Sequence, residues 1–420
     1  MQALYAGYGA EDITPPLGTE LSGYGYFLGR RAAEVLDPLW ARCLALQEGS
    51  DQEGPALLIC CDLVGLSPAL FDGLRRRLAE ALGIPAGRLH FVCTHTHTGP
   101  GTGLLIGCGE PDPAYLATLP EKILAAARAA LSDLAAVDGL RLSDSSGASV
   151  GYNRTIANSP LDPATRGWVF VRQDAAPIAV VQHACHPVTL GPAEAVSADF
   201  PGQAVRELER QGCRALFING PCGDVDPLVN QTAWGSGTPE DAARYGQAIA
   251  RSFRDGLSSR LLPPEGLRSA VFHVTVPLRP FTPGSLACLL AEQEKRGDRP
   301  PRSAGVFPLY EERIRQQGWD RESETASVFR LSFGPVLLVG TPYELFTETG
   351  RAIREAFPGK MVLVAGNASS THGYLPTRAA MEKGGYETVD SAFVYGRPLQ
   401  KTGAAEAFAQ GVIAQLRRLA

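Results

Sequence analysis

The sequence predicts a layered α/β fold: a mixed sheet flanked by helices, with the functional site gathered at strand ends. Three observations carry that expectation. Apolar β-type runs alternate with amphipathic helical segments along the 420 residues. Several of these runs end in a cluster of polar residues, which is where open α/β sheets place their sites. Four of the seven histidines, His95, His97, His183 and His186, lie at just two such ends.

In chain order, "ALLICCDLVGL" (56–66) reads as a buried strand and "SPALFDGLRRRLAEALG" (67–83) as the helix after it. Ser67 is the N-cap with Pro68 at N1, Leu70, Leu74, Leu78 and Leu82 form a stripe at four-residue spacing, and Gly83 closes the helix. The strand "LHFVC" (89–93) then leads into "THTHTGPG". The same pattern of an apolar run delivering a polar cluster recurs in "PIAVVQHACHP" (177–187), "RALFINGPCGDVDP" (214–227), "PVLLVGTPYE" (335–344) and "MVLVAGNASSTHGYLPT" (361–377). A helix follows over "LFTETGRAIREAF" (345–357).

No repeat of fixed period and no low-complexity segment interrupts the chain. "LLPPEG" (261–266) and "LRPFTPGS" (278–285) have linker chemistry, yet polar clusters of one style lie on both sides of them. The expectation is a single unit over residues 1–420, with a boundary near 265 as the alternative and a flexible, charged excursion around "EQEKRGDRPPRSAG" (292–305).

Composition bounds the function. Hydrophobic residues make up 45% and charged residues 20%, values of a globular protein with a large core. Lys+Arg 39 against Asp+Glu 44 gives a net charge of −5, so no basic field draws the chain to nucleic acid or to an anionic membrane. No apolar run reaches transmembrane length. The N-terminus lacks the basic and apolar regions of a secretion signal, and the nine cysteines, an odd number without a C-x-x-C pair, fit reduced thiols. These features predict a cytoplasmic protein acting on a small molecule.

In a strand, residues i and i+2 share a face, so His95 and His97 project together and Thr94, Thr96 and Thr98 face the other way. An H-x-H presents two imidazole nitrogens to one cation, and two hydrogen-bonded structural histidines are the alternative. Carboxylates occupy equivalent places: Asp224 and Asp226 in "GDVDP", Glu344 in "TPYELF". For Asp224, turn capping after Gly223 competes with a functional role. Tyr374 follows the last strand in "HGYLPT", with His372 beside it.

Seven separated motifs carry a resemblance: "GYGAEDITPPLGTELSGYG", "THTHTGPG", "YNRT", "HPVTL", "NGPCGDVDP", "PYELFTETGR" and "GYLPT" followed by "GGYE". In this order and approximate spacing, which run nearly the full chain, the sequence resembles the catalytic domain of the neutral, non-lysosomal ceramidase family of zinc amidases. The resemblance implies one Zn2+ held by His95, His186, Glu344 and Tyr374, with His97 close to the metal and assisting catalysis. It further implies substrate contacts from Arg154 and Tyr386. Two histidines and a carboxylate are a common catalytic zinc set, and a tyrosine oxygen is an unusual fourth ligand that a dication would favour as phenolate.

Two departures from the family stand out. Where ceramidases carry a serine in G-D-x-S-P, this chain has Asp226 in "GDVDP". A carboxylate cannot act as an alcohol, but it can accept a proton, hold a cationic group or ligate a second metal. The chain also ends at "AQGVIAQLRRLA", without the family's C-terminal sandwich-like domain. The expectation is a zinc-dependent hydrolase of an amide C–N bond in a small or N-acylated substrate other than ceramide, with Asp226 as general base. A hydrolase of ester, lactone or phosphoester bonds with Asp226 on a metal is the alternative, and a non-enzymatic binding protein the second one.

Overall fold

The computed structural model describes residues 3–49, 54–157, 159, 161–295 and 303–419. Half of the expected charged excursion, residues 296–302, lies outside them.

The larger sheet has eight strands: β1 (Leu4–Asp12), β2 (Trp40–Glu48), β3 (Ala56–Cys61), β4 (Leu89–Cys93), β5 (Ala135–Ser145), β6 (Thr165–Arg172), β7 (Ala175–His183) and β8 (Arg214–Asn219). Their order across the sheet is β8-β7-β6-β5-β1-β2-β3-β4. The outermost pairs, β7/β8 and β3/β4, are parallel and the inner ones antiparallel. A second sheet contains β9 (Arg268–Pro277), β10 (Ser323–Phe333), β11 (Val336–Gly340) and β12 (Met361–Ala365) in that order, and its last pair is parallel.

The helices are α1 (Pro68–Leu82), α2 (Pro113–Ser132), α3 (Asp199–Glu209), α4 (Pro239–Asp255), α5 (Pro283–Glu294), α6 (Val306–Gln317), α7 (Thr347–Glu355) and α8 (Ala404–Arg418), together with short helices at Arg378–Lys383 and Ser391–Tyr395. Parallel neighbours need a crossover, and a helix supplies each one. The units are β3-α1-β4, β7-α3-β8 and β11-α7-β12.

The apolar cores order the layers. One core packs α1 and α2 on β2–β4, through Phe71, Leu74, Leu78, Leu119, Ile123 and Ala127 against Cys43, Leu57, Ile59 and Phe91. Another sets α3 and α4 on β6–β8 through Phe200, Val205, Ile249 and Phe253. The opposite face of the large sheet meets the second sheet, where Trp168, Phe170, Val180 and Leu216 pack against Phe329, Leu331, Phe333 and Leu363. The second sheet's outer face is covered by α7 and α8 through Ile353, Phe408 and Val412. The stack is therefore helices, large sheet, small sheet, helices. Strand β3 is covered on both faces, which is why its sequence is a continuous apolar run without alternation.

Local chemistry explains the ends of α1. Ser67 is extended, Pro68 stands at N1, and Gly83 adopts the left-handed conformation at φ 66°. The buried face is Phe71, Leu74 and Leu78, while Leu70 and Leu82 are only partly covered, so the four-leucine stripe drifts off the core as a 3.6-residue period requires. Core contacts cross the alternative boundary near 265, since Leu267 and the second sheet share one apolar cluster with β1, β2 and β6–β8. Among the described residues no helix is long and apolar enough to cross a membrane.

Helix α2 lies directly on β1 because glycines occupy alternate positions there. A Cβ at Gly9 would stand 2.1 Å from the carbonyl oxygen of Ala126, and one at Gly7 would stand 2.1 Å from that of Ala130. Gly9→Ala is expected to destabilise the fold by about 1–3 kcal/mol, the usual range for overpacking. A melting temperature equal to that of the parent would refute the close approach.

Candidate metal centre

The three crossover units deliver their C-terminal ends to one place. His95 follows β4, His186 follows β7, Asp226 follows β8, Glu344 follows β11 and Tyr374 follows β12. The ends are tied together by Asn219, whose Nδ2 donates to the Thr94 carbonyl at 3.1 Å, and by the Gly366 amide, which donates to the Asn219 carbonyl at 3.1 Å. Glu344 and Tyr374 are paired residues of a two-residue parallel bridge, so one backbone register places both side chains.

The expected strand geometry for His95 and His97 is not what brings them together. β4 ends at Cys93, and residues 94–98 form a loop in which His95 sits at φ 72°. Backbone bonds from Thr94 N to Cys61 O and from His95 N to Leu63 O, each 3.0 Å, pull the chain toward the end of β3 instead of continuing the ladder. The left-handed residue re-aims the loop so that both rings still converge, with Nε2 atoms 3.3 Å apart. A non-glycine residue held there is a strained position, and such residues cluster at functional sites.

Two buried imidazoles have their Nδ1 at a backbone carbonyl: His95 at Val64 O, 2.5 Å, and His186 at Cys222 O, 2.7 Å. A carbonyl can only accept, so Nδ1 carries the proton and the Nε2 lone pair points the other way. Both lone pairs meet one carboxylate oxygen, Glu344 Oε2, at 3.1 Å from His95 and 2.8 Å from His186. Tyr374 Oη lies 3.1 Å from His186 Nε2. Electron-rich atoms facing one another in a buried pocket repel unless a proton or a cation stands among them.

Protonation follows the same pattern. Burial alone would raise the Glu344 carboxyl, but His95 and His186 hold it well below its ordinary value. Burial pushes His186 down, helped by the Arg154 guanidinium. It also drives His97 far down, reinforced by His95 and His186. Burial raises the Tyr374 phenol well above 10, against the opposing pull of Arg154. Imidazole nitrogens beside a carboxylate are a donor set for a dication.

His95, His97 and His186 bring one nitrogen each within 4.8 Å of one another, a group that could hold a metal ion. The set expected from sequence shares His95 and His186 with it and takes Glu344 and Tyr374 in place of His97. A tetrahedral zinc with bonds of about 2.0–2.1 Å separates its ligand atoms by about 3.3 Å, close to the 3.1 Å between His95 Nε2 and Glu344 Oε2 and between His186 Nε2 and Tyr374 Oη.

His97 also forms the inner wall of a cavity of about 630 Å³, with Asp226, Arg154, Tyr374 and Tyr386 around it. Asp226 is buried and accepts from Arg154 Nη1 at 2.8 Å. Both Nη groups of Arg154 are hydrogen-bonded, and its Nε lies 2.9 Å from Glu387 Oε1. Tyr386 is exposed at the rim. Asp224 caps instead: Oδ1 accepts from the Thr347 amide and hydroxyl at 2.8 and 2.9 Å, and Oδ2 from Asn153 Nδ2 at 2.8 Å. His183 is a buried core residue against Thr165 Oγ1.

Sequence reasoning missed Tyr395, whose hydroxyl donates to Glu344 Oε1, and Tyr24, whose ring stands edge-on to His97 at 5.4 Å. Gly23 precedes Tyr24 at φ 85°, and a Cβ there would lie 2.5 Å from His97 Nδ1. No spacing pattern marks these residues, although the "GYG" of the opening motif was visible.

No protein-family model matches the chain, and no curated protein matches it in sequence. Solved structures do match in fold. A ceramidase in complex with C2 superposes with a TM-score of 0.75 at 17% identity, over 100% of this chain and 76% of that one. The neutral ceramidase from Pseudomonas aeruginosa does so with the same TM-score and identity, over 100% of this chain and 75% of its own. At this identity the likeness is one of fold: the chain has the ceramidase-like α/β architecture.

The segment carrying Tyr374 is pinned by a buried network in which Glu324 meets Arg397, His372 and the Tyr343 hydroxyl. Burial alone would raise the Glu324 carboxyl, and Arg397 with His372 brings it down to about 2. A depressed carboxyl contributes stability that is present above its unfolded value of 4.5 and is lost as pH falls through about 2. Glu324→Gln is expected to cost about 3 kcal/mol at neutral pH and to flatten the acid limb of stability between those values. Denaturant unfolding across that range checks it, and parallel curves for parent and variant would contradict the assignment.

Proposed function

We propose that this protein is a metal-dependent hydrolase that cleaves an amide C–N bond in a small or N-acylated substrate. One observation carries the reading: two buried imidazoles, each with Nδ1 fixed on a carbonyl, aim their lone pairs at one ionised carboxylate oxygen. His95, His186, Glu344 and Tyr374 would hold a single Zn2+. When bound, zinc supplies Lewis-acid polarisation of the scissile carbonyl and acidifies water. The ceramidase-like fold supports the amidase reading, and the cavity has the size of a small-molecule site. A membrane lipid is not the substrate we assign.

The chain's own residues then have separate tasks. Asp226, at the pocket wall, accepts the proton of the attacking water as general base. His97 is kept neutral by burial and by its two histidine neighbours, so it can take a proton in transit or steady the developing oxyanion. Tyr386 at the rim contacts the substrate.

A second reading places Asp226 on a second metal in an esterase, lactonase or phosphoesterase. The Arg154 guanidinium at 2.8 Å from Asp226 Oδ1 argues against it, because it already supplies the positive charge there. A binding protein without turnover is the remaining alternative.

Metal content per chain, by elemental analysis of protein purified without added metal, is the first test. One zinc in the parent and in Asp226→Ala, falling to none in His186→Ala, is expected; two in the parent and one in Asp226→Ala would promote the two-metal reading. On a panel of N-acyl amines, esters and lactones the zinc-loaded parent should turn over amides, and Asp226→Ala should lose about 10²–10⁴-fold, the usual contribution of a general base. A blank panel would favour the binding protein. Asp226→Ser should not acquire ready ceramide turnover.

A further inference from the structure

Arg154 touches both the candidate metal centre and the mouth of the cavity through charged contacts. Its Nη2 donates to Tyr374 Oη at 2.8 Å and to the Gly223 carbonyl at 3.2 Å, and its Nη1 donates to Asp226 Oδ1 at 2.8 Å. Its Nε is ion-paired with Glu387 Oε1 at 2.9 Å, a charge contact without hydrogen-bond alignment. The guanidinium also stands over the Tyr374 ring, 5.6 Å from its centroid. A planar fork with both Nη groups hydrogen-bonded and its Nε facing a carboxylate cannot turn toward a substrate without releasing one of its partners.

Glu387 comes from the mouth. It lies in the single π-turn Tyr386–Asp390, which follows Gly384 and Gly385 at φ 78° and 130°. Its side chain is 10% exposed, so the ion pair is shielded from solvent and is stronger than a surface pair. Without Glu387, only Asp226 and the contacts on Nη2 would orient the guanidinium. The fork could then swing about its Cδ–Nε bond, carrying the Tyr374 hydroxyl away from His186 Nε2.

We propose that Glu387 is a positioning residue that acts through Arg154 to hold the Tyr374 oxygen at the metal centre, so that the cavity mouth and the fourth metal ligand are mechanically linked. The inference rests on Tyr374 being a ligand, as proposed above. It also gives a substrate pressing on Tyr386 a route to the centre through the neighbouring residue.

The test compares the full-length parent with Glu387→Gln, Glu387→Asp, Tyr374→Phe and, as a control on the same rim, Lys383→Gln. Two readouts are used: zinc retention against a competing chelator, and the visible phenolate-to-iron band of Fe(III)-loaded protein. Glu387→Gln, which is isosteric, is expected to hold zinc about tenfold more weakly, the lower end for groups that orient metal ligands, and to show a weakened band at an unchanged melting temperature. Glu387→Asp should recover part of both, Lys383→Gln should match the parent, and Tyr374→Phe should lose the band. If Tyr374→Phe loses the band while Glu387→Gln matches the parent in both readouts, the positioning role is overturned and Tyr374 stays a ligand. A parent that binds metal without the band removes Tyr374 from the ligand set and the proposal with it. A parent that takes up no metal overturns the hydrolase reading itself.

Discussion

Two backbone carbonyls decide the chemistry of the centre. Val64 O and Cys222 O accept from Nδ1 of His95 and His186, and that choice turns both Nε2 lone pairs inward onto Glu344. Had the rings been free to present N–H groups inward, they would simply have hydrogen-bonded the carboxylate, and the cluster would be a satisfied polar core. With the tautomers fixed, the cluster is stable only around positive charge. The pull of Arg154 on Tyr374 and the donation from Tyr395 to Glu344 Oε1 extend the same arrangement outward.

The fold makes this arrangement affordable. Three crossover units point their strand ends at one spot, and a four-layer stack holds those ends, so the five candidate side chains arrive on five separate segments without any of them spanning far. His95 occupies a left-handed conformation that costs about 1–3 kcal/mol, and bonds from the flanking loop to Cys61 and Leu63 hold it there. Strain of this kind persists because the surrounding strands over-determine the loop. The outer parallel pairs matter for the same reason: antiparallel hairpins would return the chain at once, whereas crossovers leave both strand ends on one side.

The pocket is less uniform than the centre. Its inner end is polar, with His97, Asp226 and Arg154, and its rim is aromatic, with Trp234 and Tyr386 exposed. Asp226 is tied to a guanidinium that is itself paired with Glu387, so the polar inner end of the pocket and the segment at its mouth share one set of contacts.

The sequence by itself determined the α/β class, the strand runs and the identity of the clustered residues. Apolar periodicity follows local burial, and the polar residues stand at the ends of those runs in linear order, so His95, His97, His186, Glu344 and Tyr374 were legible together with Asp226. The H-x-H was legible for the wrong geometric reason, because alternation assumes a strand and the chain leaves the sheet at Cys93. Capping by Asp224 of a helix more than a hundred residues away was legible only as one of two roles. Only the tertiary structure decided the imidazole tautomers, the register that pairs Glu344 with Tyr374, and the engagement of Arg154 by Asp226, Tyr374 and Glu387. Each of these depends on which atom of one segment faces which atom of another, and side-chain pattern along a chain carries no record of contacts made across sheets and loops.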